Sequence, residues 1–137
     1  MFKKFDENKI KIQSESKKLI NSFGYAFTGI GTAVKSERNM KIHCIMMALV
    51  IFFGIILKIS KLEWIICIAL FGLVIGAEMF NTAIEYVVDL ASPEKNDLAK
   101  HAKDVAAGAV LVNAIAAAII GFLIFVPKIL IIMQNIR

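Results

Sequence analysis

"WIICIALFGLVIGAEMFNTAIEYVVDL", residues 64–90, has no charged side chain in its first half and carries Glu78, Glu85 and Asp89 in its second. As a helix it rises about 40 Å, more than the roughly 30 Å of a bilayer's hydrocarbon core. At about 100° per residue, Glu78, Asn81, Glu85 and Asp89 point near 0°, −60°, −20° and +20°, so the four polar groups share one narrow stripe. With Trp64 at the outer boundary, Glu78 lies about 21 Å across and Glu85 about 31 Å. Glu78 is then inside the hydrocarbon, Glu85 at the inner boundary and Asp89 beyond it.

Two further apolar stretches, 40–57 and 105–126, are close to the length a membrane crossing needs. Upstream of them, Leu19, Phe23, Phe27, Ile30 and Val34 recur at helical spacing against Asn21, Tyr25, Thr28, Thr32 and Lys35, which predicts an amphipathic interfacial helix over 16–36. Residues 1–15 are polar and lysine-rich, a flexible N-terminus whose lysines 3, 4, 9 and 11 face solvent or headgroups. The fold class is an all-α membrane protein: an N-terminal interfacial helix plus three transmembrane helices, in one membrane-embedded domain of 137 residues. A hydrophobic content of 58% supports this, and the net charge of +5 reflects membrane orientation and not nucleic-acid binding. Nine basic residues fall in the first 41 positions, two in the link 58–63 and three in the link 91–103. That bias puts the N-terminus and the second link in the cytoplasm, and the C-terminus, after Pro127 and Lys128, outside. No signal-peptide cleavage site follows the first apolar run, so the N-terminus is expected to be retained.

The inner boundary collects chemistry. Glu37 precedes the first span, and Lys103 and Asp104 precede the third, at the level of Glu85. Hard carboxylate oxygens suit Mg²⁺, which binds through one or two carboxylates plus substrate phosphates, and a lysine balances remaining phosphate charge. Glu78, deeper, is a costly intramembrane carboxyl of the kind that usually serves function, and burial makes such a group a stronger base. A base there could deprotonate a lipid alcohol whose tail stays in the bilayer while phosphates approach from the cytoplasm.

The remaining features read as structure. Cys44 and Cys67 lie in apolar runs as buried hydrophobes, and His43 and His101, at no ligand spacing, are satisfied or exposed imidazoles. Ala109, Asn113, Ala117 and Gly121 recur every four residues as a helix-packing stripe, with Asn113 in an interhelical hydrogen bond. Gly24, Gly29 and Gly31 serve close packing, since no strand precedes them to make a dinucleotide fingerprint. No phosphate-binding loop of the GxxxxGK[ST] kind and no protein-kinase sequence set is present. A small cation transporter subunit is a rival of another class, but a conducting path needs polar groups through the outer half, and "WIICIALFGLVIG" has none. A non-catalytic scaffold is a third possibility, under which carboxylate-to-amide changes would be silent.

"EMFNTAIEYVVDL" (78–90) together with "AKDVAAGAV" (102–110) resembles the small prokaryotic diacylglycerol kinase family, with its E-x-x-N-[ST]-A-I-E-x-x-x-D and A-K-D motifs. The similarity extends from the interfacial helix through "SERN" (36–39) to the third span, and "ERN", "LEW" and "NTAIE" are similar to the Gram-positive branch of undecaprenol kinases. The resemblance implies a homotrimer with composite sites at subunit boundaries, using Mg²⁺ and ATP on a membrane lipid alcohol: undecaprenol, or alternatively diacylglycerol. It implies Glu78 as the general base, Glu37 and Glu85 as metal ligands, and Asn81 and Asp89 as site-lining groups. Nucleotide contacts are implied for Glu37, Glu85, Glu94, Lys95, Asn96, Lys103 and Asp104, with Lys18 and Tyr25 from the interfacial helix. Asn21 stands where many members have a basic residue. His43 stands where the diacylglycerol branch has an acid, which favours the polyprenol acceptor.

Overall fold

The computed structural model describes the backbone of residues 2–94 and 96–135, and within those ranges the side chains from residue 15 onward. Four helices follow in order: α1 (Phe2–Ser36), α2 (Arg38–Ile56), α3 (Lys61–Ala91) and α4 (Asp97–Asn135). The chain divides into two compact units, Met1–Ser36 and Glu37–Arg137.

In the first unit, α1 begins at Phe2, well before the expected Ser16, because residues 2–15 contain no glycine or proline to stop a helix. The side chains of lysines 3, 4, 9 and 11 lie outside the described residues. Leu19, Phe23 and Phe27 are exposed, as the apolar stripe of an interfacial helix would be. On the polar side the helix occupies its own hydroxyls: Ser22, Thr28, Thr32 and Ser36 each donate to the carbonyl four residues back, at 2.9–3.0 Å. Within the first unit itself, a Cβ built on Gly24, Gly29 or Gly31 meets nothing within 4 Å.

In the second unit α3 is central, packing along α4 extensively and against α2. All three helices are long and apolar enough to cross a membrane. Large apolar side chains such as Phe52, Leu73, Phe80, Leu111 and Phe122 are exposed, which suits hydrocarbon as the solvent: the helices satisfy their own backbone groups and leave apolar faces outward.

The corner between α2 and α3 is tightly specified. Ile59 N donates to Gly54 O at 3.1 Å and Lys58 N to Ile55 O at 3.2 Å, the paired bonds of a Schellman motif. Its left-handed position is held by Lys58, at φ 50°, where glycine is usual. Ser60 then starts α3 with a capping box: Glu63 N donates to Ser60 Oγ at 3.3 Å and Ser60 N to Glu63 Oε2 at 2.6 Å. That same Oε2 meets Lys128 Nζ at 3.1 Å and ties α3 to α4. Ile59, Cys67 and Ile124 form a buried cluster here, with Trp64, Phe71 and Phe125 packed around it. The Trp64 ring leaves no room at Gly54, where a Cβ would stand 2.9 Å from Cη2.

α4 exceeds the expected 105–126 at both ends. It starts at Asp97 because Asn96 caps it, Oδ1 accepting from Leu98 N at 2.8 Å and Ala99 N at 3.4 Å. It runs through Pro127 to Asn135; proline there removes one helical hydrogen bond, and the apolar run after it continues the helix. The interhelical bond expected of Asn113 is replaced by one inside α4, Nδ2 donating to Ala109 O at 2.9 Å.

Candidate active site

Glu78, Asn81 and Thr82 are the buried polar residues among those described, all on one turn of α3. Glu78 is 1% exposed. Thr82 Oγ1 donates to the Glu78 carbonyl at 2.9 Å, so the hydroxyl is absorbed by the helix. Glu78 Oε1 stands 3.4 Å from His43 Nε2 on α2 and makes no hydrogen bond. Glu37 and Glu85 both lie within electrostatic range of Glu78, as does His43. Helix α3 thus brings the buried carboxyl against α2, and the start of α2 contributes Glu37 to the same neighbourhood.

One turn on, Asn81 Nδ2 donates to Glu85 Oε1 at 2.9 Å, fixing that carboxylate from within the stripe. Asn81 Oδ1 is buried with no hydrogen-bond partner. Glu37 is the N-cap residue of α2 with extended backbone, and its side chain makes no capping hydrogen bond. Its carboxylate sits where a helix N-terminus favours negative charge and remains free to bind elsewhere.

Farther along the stripe, Asp89 accepts a hydrogen bond from Lys103 Nζ, which links α3 to α4. A cleft of about 510 Å³ lies here between the end of α3 and the start of α4, lined by Asp89, Glu94, Asn96, Lys103 and Asp104 among others. The structure therefore brings together five of the residues expected at the site. Asn96 spends its side-chain oxygen on the α4 cap; Lys95 lies outside the described residues. Lys18 and Tyr25 belong to the first unit, both exposed and seven residues apart, which puts them on the same side of α1.

On the opposite side of Glu78 from this cleft, an apolar groove of about 530 Å³ runs between α2, α3 and α4. Its lining includes Met46, Val50, Val74, Ala117, Gly121 and Phe122, with His43 at the level of Glu78. Ala117 and Gly121, read in the sequence as a packing stripe, face this groove, and a Cβ at Gly121 meets nothing within 4 Å. The Glu63–Lys128 pair marks one end of the bundle. Counting from it at about 1.5 Å per residue, Glu85 is about 33 Å away and Lys103 about 38 Å, so both stand at the far boundary of a hydrocarbon core.

His43, read from its spacing as a satisfied or exposed imidazole, is the residue that the structure sets beside Glu78. An imidazole three residues into a span, at about the depth of a buried acid, is the signal that could have found it. Among the described residues no three His, Cys, Asp or Glu side chains are grouped so as to hold a metal ion.

The family model of prokaryotic diacylglycerol kinase matches residues 24–125, which contain α2, α3 and most of α4. The chain is 41% identical over 116 residues to the undecaprenol kinase of Bacillus subtilis, covering 85% of this chain and 94% of that one. It is 40% identical over 113 residues to a diacylglycerol kinase of Synechocystis, covering 82% of this chain and 65% of that one. With the diacylglycerol kinase of Haemophilus influenzae the identity is 33% over 94 residues, 69% of this chain and 80% of that one. On the extent of these matches, and with three helices able to span a membrane around a buried glutamate, the chain belongs to the prokaryotic diacylglycerol kinase family.

Proposed function

We propose that the protein transfers the γ-phosphoryl group of ATP to undecaprenol within the cytoplasmic membrane. The observation that carries this reading is the position of Glu78: 1% exposed, it falls along α3 between the residues that line an apolar groove, which end at Ile75, and those that line a polar cleft with Lys103 and Asp104, which begin at Val88. A lipid tail fits the groove and a nucleotide fits the cleft. The acceptor is chosen from the undecaprenol kinase of Bacillus subtilis, to which the similarity extends over 85% of this chain. Diacylglycerol is the second reading, supported by the relatives named diacylglycerol kinase.

In the reaction, the alcohol oxygen bonds to the γ-phosphorus while the bond from that phosphorus to the bridging oxygen breaks, releasing ADP. The hydroxyl proton passes to Glu78, the general base. Little covalent chemistry falls to the protein, so alignment and charge neutralisation dominate. Glu37 and Glu85 suit Mg²⁺, because two hard carboxylates, one fixed by Asn81, match an ion that takes its other ligands from water and phosphate. When bound, that ion neutralises developing charge on the phosphate oxygens. Lys103, steered by Asp89, is a phosphate contact, and Glu94, Asn96 and Asp104 border the nucleotide.

The orientation follows from basic residues: nine in the first 41 positions and three in the link 91–103 favour the cytoplasmic side, against two in the link 58–63. The assembly is a homotrimer with sites shared between copies, as the family resemblance implies, and part of the exposed apolar surface of α2 and α4 lies at its interfaces while the rest meets hydrocarbon.

The test is a phosphotransfer assay with purified protein, Mg-ATP, and undecaprenol and diacylglycerol offered side by side. Undecaprenol is expected to be the better acceptor by kcat/KM. Transfer to diacylglycerol alone would overturn the acceptor, and transfer to neither would overturn the kinase assignment.

A further inference from the structure

Glu78 Oε1 is buried and without a hydrogen bond, an arrangement that costs free energy unless a partner completes it. The polar group that faces it from another helix is His43 Nε2, 3.4 Å away. His43 is itself largely covered, its side chain 19% exposed, and it also lines the apolar groove. One face of the imidazole thus belongs to the lipid path and one nitrogen to the base. The α4 residues lining the same groove, among them Ala114, Ala117 and Phe122, are all apolar, so none of these competes for either nitrogen.

We infer that His43 is a positioning residue for the base: Nε2 carries the imidazole proton and holds Oε1 of Glu78, which turns the other carboxyl oxygen toward the alcohol arriving along the groove. This rests on Glu78 being the base for a lipid alcohol. A few tenths of an ångström of closure converts the 3.4 Å contact into a hydrogen bond of ordinary length. The bond fixes the last side-chain torsion of Glu78 and so holds both carboxylate oxygens in one pose, and misplacing a reacting group by about 1 Å costs about 10²-fold in rate.

The experiment compares wild type with His43→Leu, His43→Gln and the double variant Glu78→Gln/His43→Leu, as purified full-length chains with Mg-ATP and undecaprenol, each checked for helical content and melting temperature. His43→Leu, which keeps bulk and loses the donor, is expected to lower kcat about 10²-fold with the KM for ATP within about twofold. His43→Gln, whose amide reaches the same oxygen, is expected to recover kcat to within about tenfold of wild type. In the Glu78→Gln background, loss of His43 is expected to lower the residual rate no further, because the two act as one unit. Wild-type kcat in His43→Leu would overturn the inference, as would equal loss in His43→Leu and His43→Gln, or additive losses in the double variant. If His43→Leu fails to fold, the His43→Gln kcat decides: a fall of 10²-fold or more overturns the inference. A wild-type protein silent toward both undecaprenol and diacylglycerol overturns the underlying kinase assignment, a result distinct from any of these.

Discussion

Glu78 and Glu85 are the same residue type on the same helix face, yet the fold gives them different surroundings. Glu78 is sealed beside His43, while Glu85 is half-exposed and held by Asn81. Glu78→Gln keeps the shape and removes the proton acceptor, so kcat should fall by about 10³-fold while Mg-ATP binding, followed by calorimetry, changes little. Glu85→Gln should do the reverse in binding, weakening Mg-dependent nucleotide affinity about tenfold or more in the same titration. Turnover near wild type in Glu78→Gln would remove it from the role of base. The acids were legible in the sequence because period and depth both act along one helix. His43 was not, because its meaning comes from a neighbour 35 residues later, and one helix's period says nothing about which side chain of another helix it meets. Asn96 was legible as a polar residue at the right level but not as a helix cap, since its carbonyl oxygen is committed only once α4 starts at Asp97.

At the scale of elements, the corner and the groove make separable predictions. Lys58 holds a left-handed backbone at φ 50°, a conformation that costs an ordinary residue about 1 kcal/mol relative to glycine. Lys58→Gly should therefore raise the melting temperature in detergent by a few degrees without changing turnover; a lower melting temperature would mean that the lysine side chain matters more than its backbone. Gly121 opens onto the groove with free space at its Cβ. Gly121→Leu should keep or strengthen the helix and raise the KM for the lipid about tenfold, leaving the KM for ATP unchanged; an unaltered lipid KM would place the acceptor elsewhere. Three spans were legible because apolar runs of this length have few other uses. Their ends were not, since α4 gains a turn or more at each side from a cap and from a proline that the following apolar run overrides.

For the whole molecule, the wide apolar exposure leaves faces that the proposed homotrimer would use. If sites are shared between subunits, chains carrying Glu78→Gln and chains carrying Lys103→Ala, each inactive alone, should regain activity when co-reconstituted. A mixture as inactive as its components would confine each site to one chain. Fold class was legible from composition and charge bias, which bear on the bilayer as a whole. Assembly is not, because a face that meets lipid and a face that meets another copy are written in the same apolar residues.

The contact between Gly54 and the Trp64 ring has a consequence on an evolutionary scale. With 2.9 Å between a built Cβ and the indole, any larger residue at 54 overpacks the corner at a cost of about 1–3 kcal/mol. Among descendants of this sequence a larger residue at position 54 is expected to appear together with a smaller side chain at position 64.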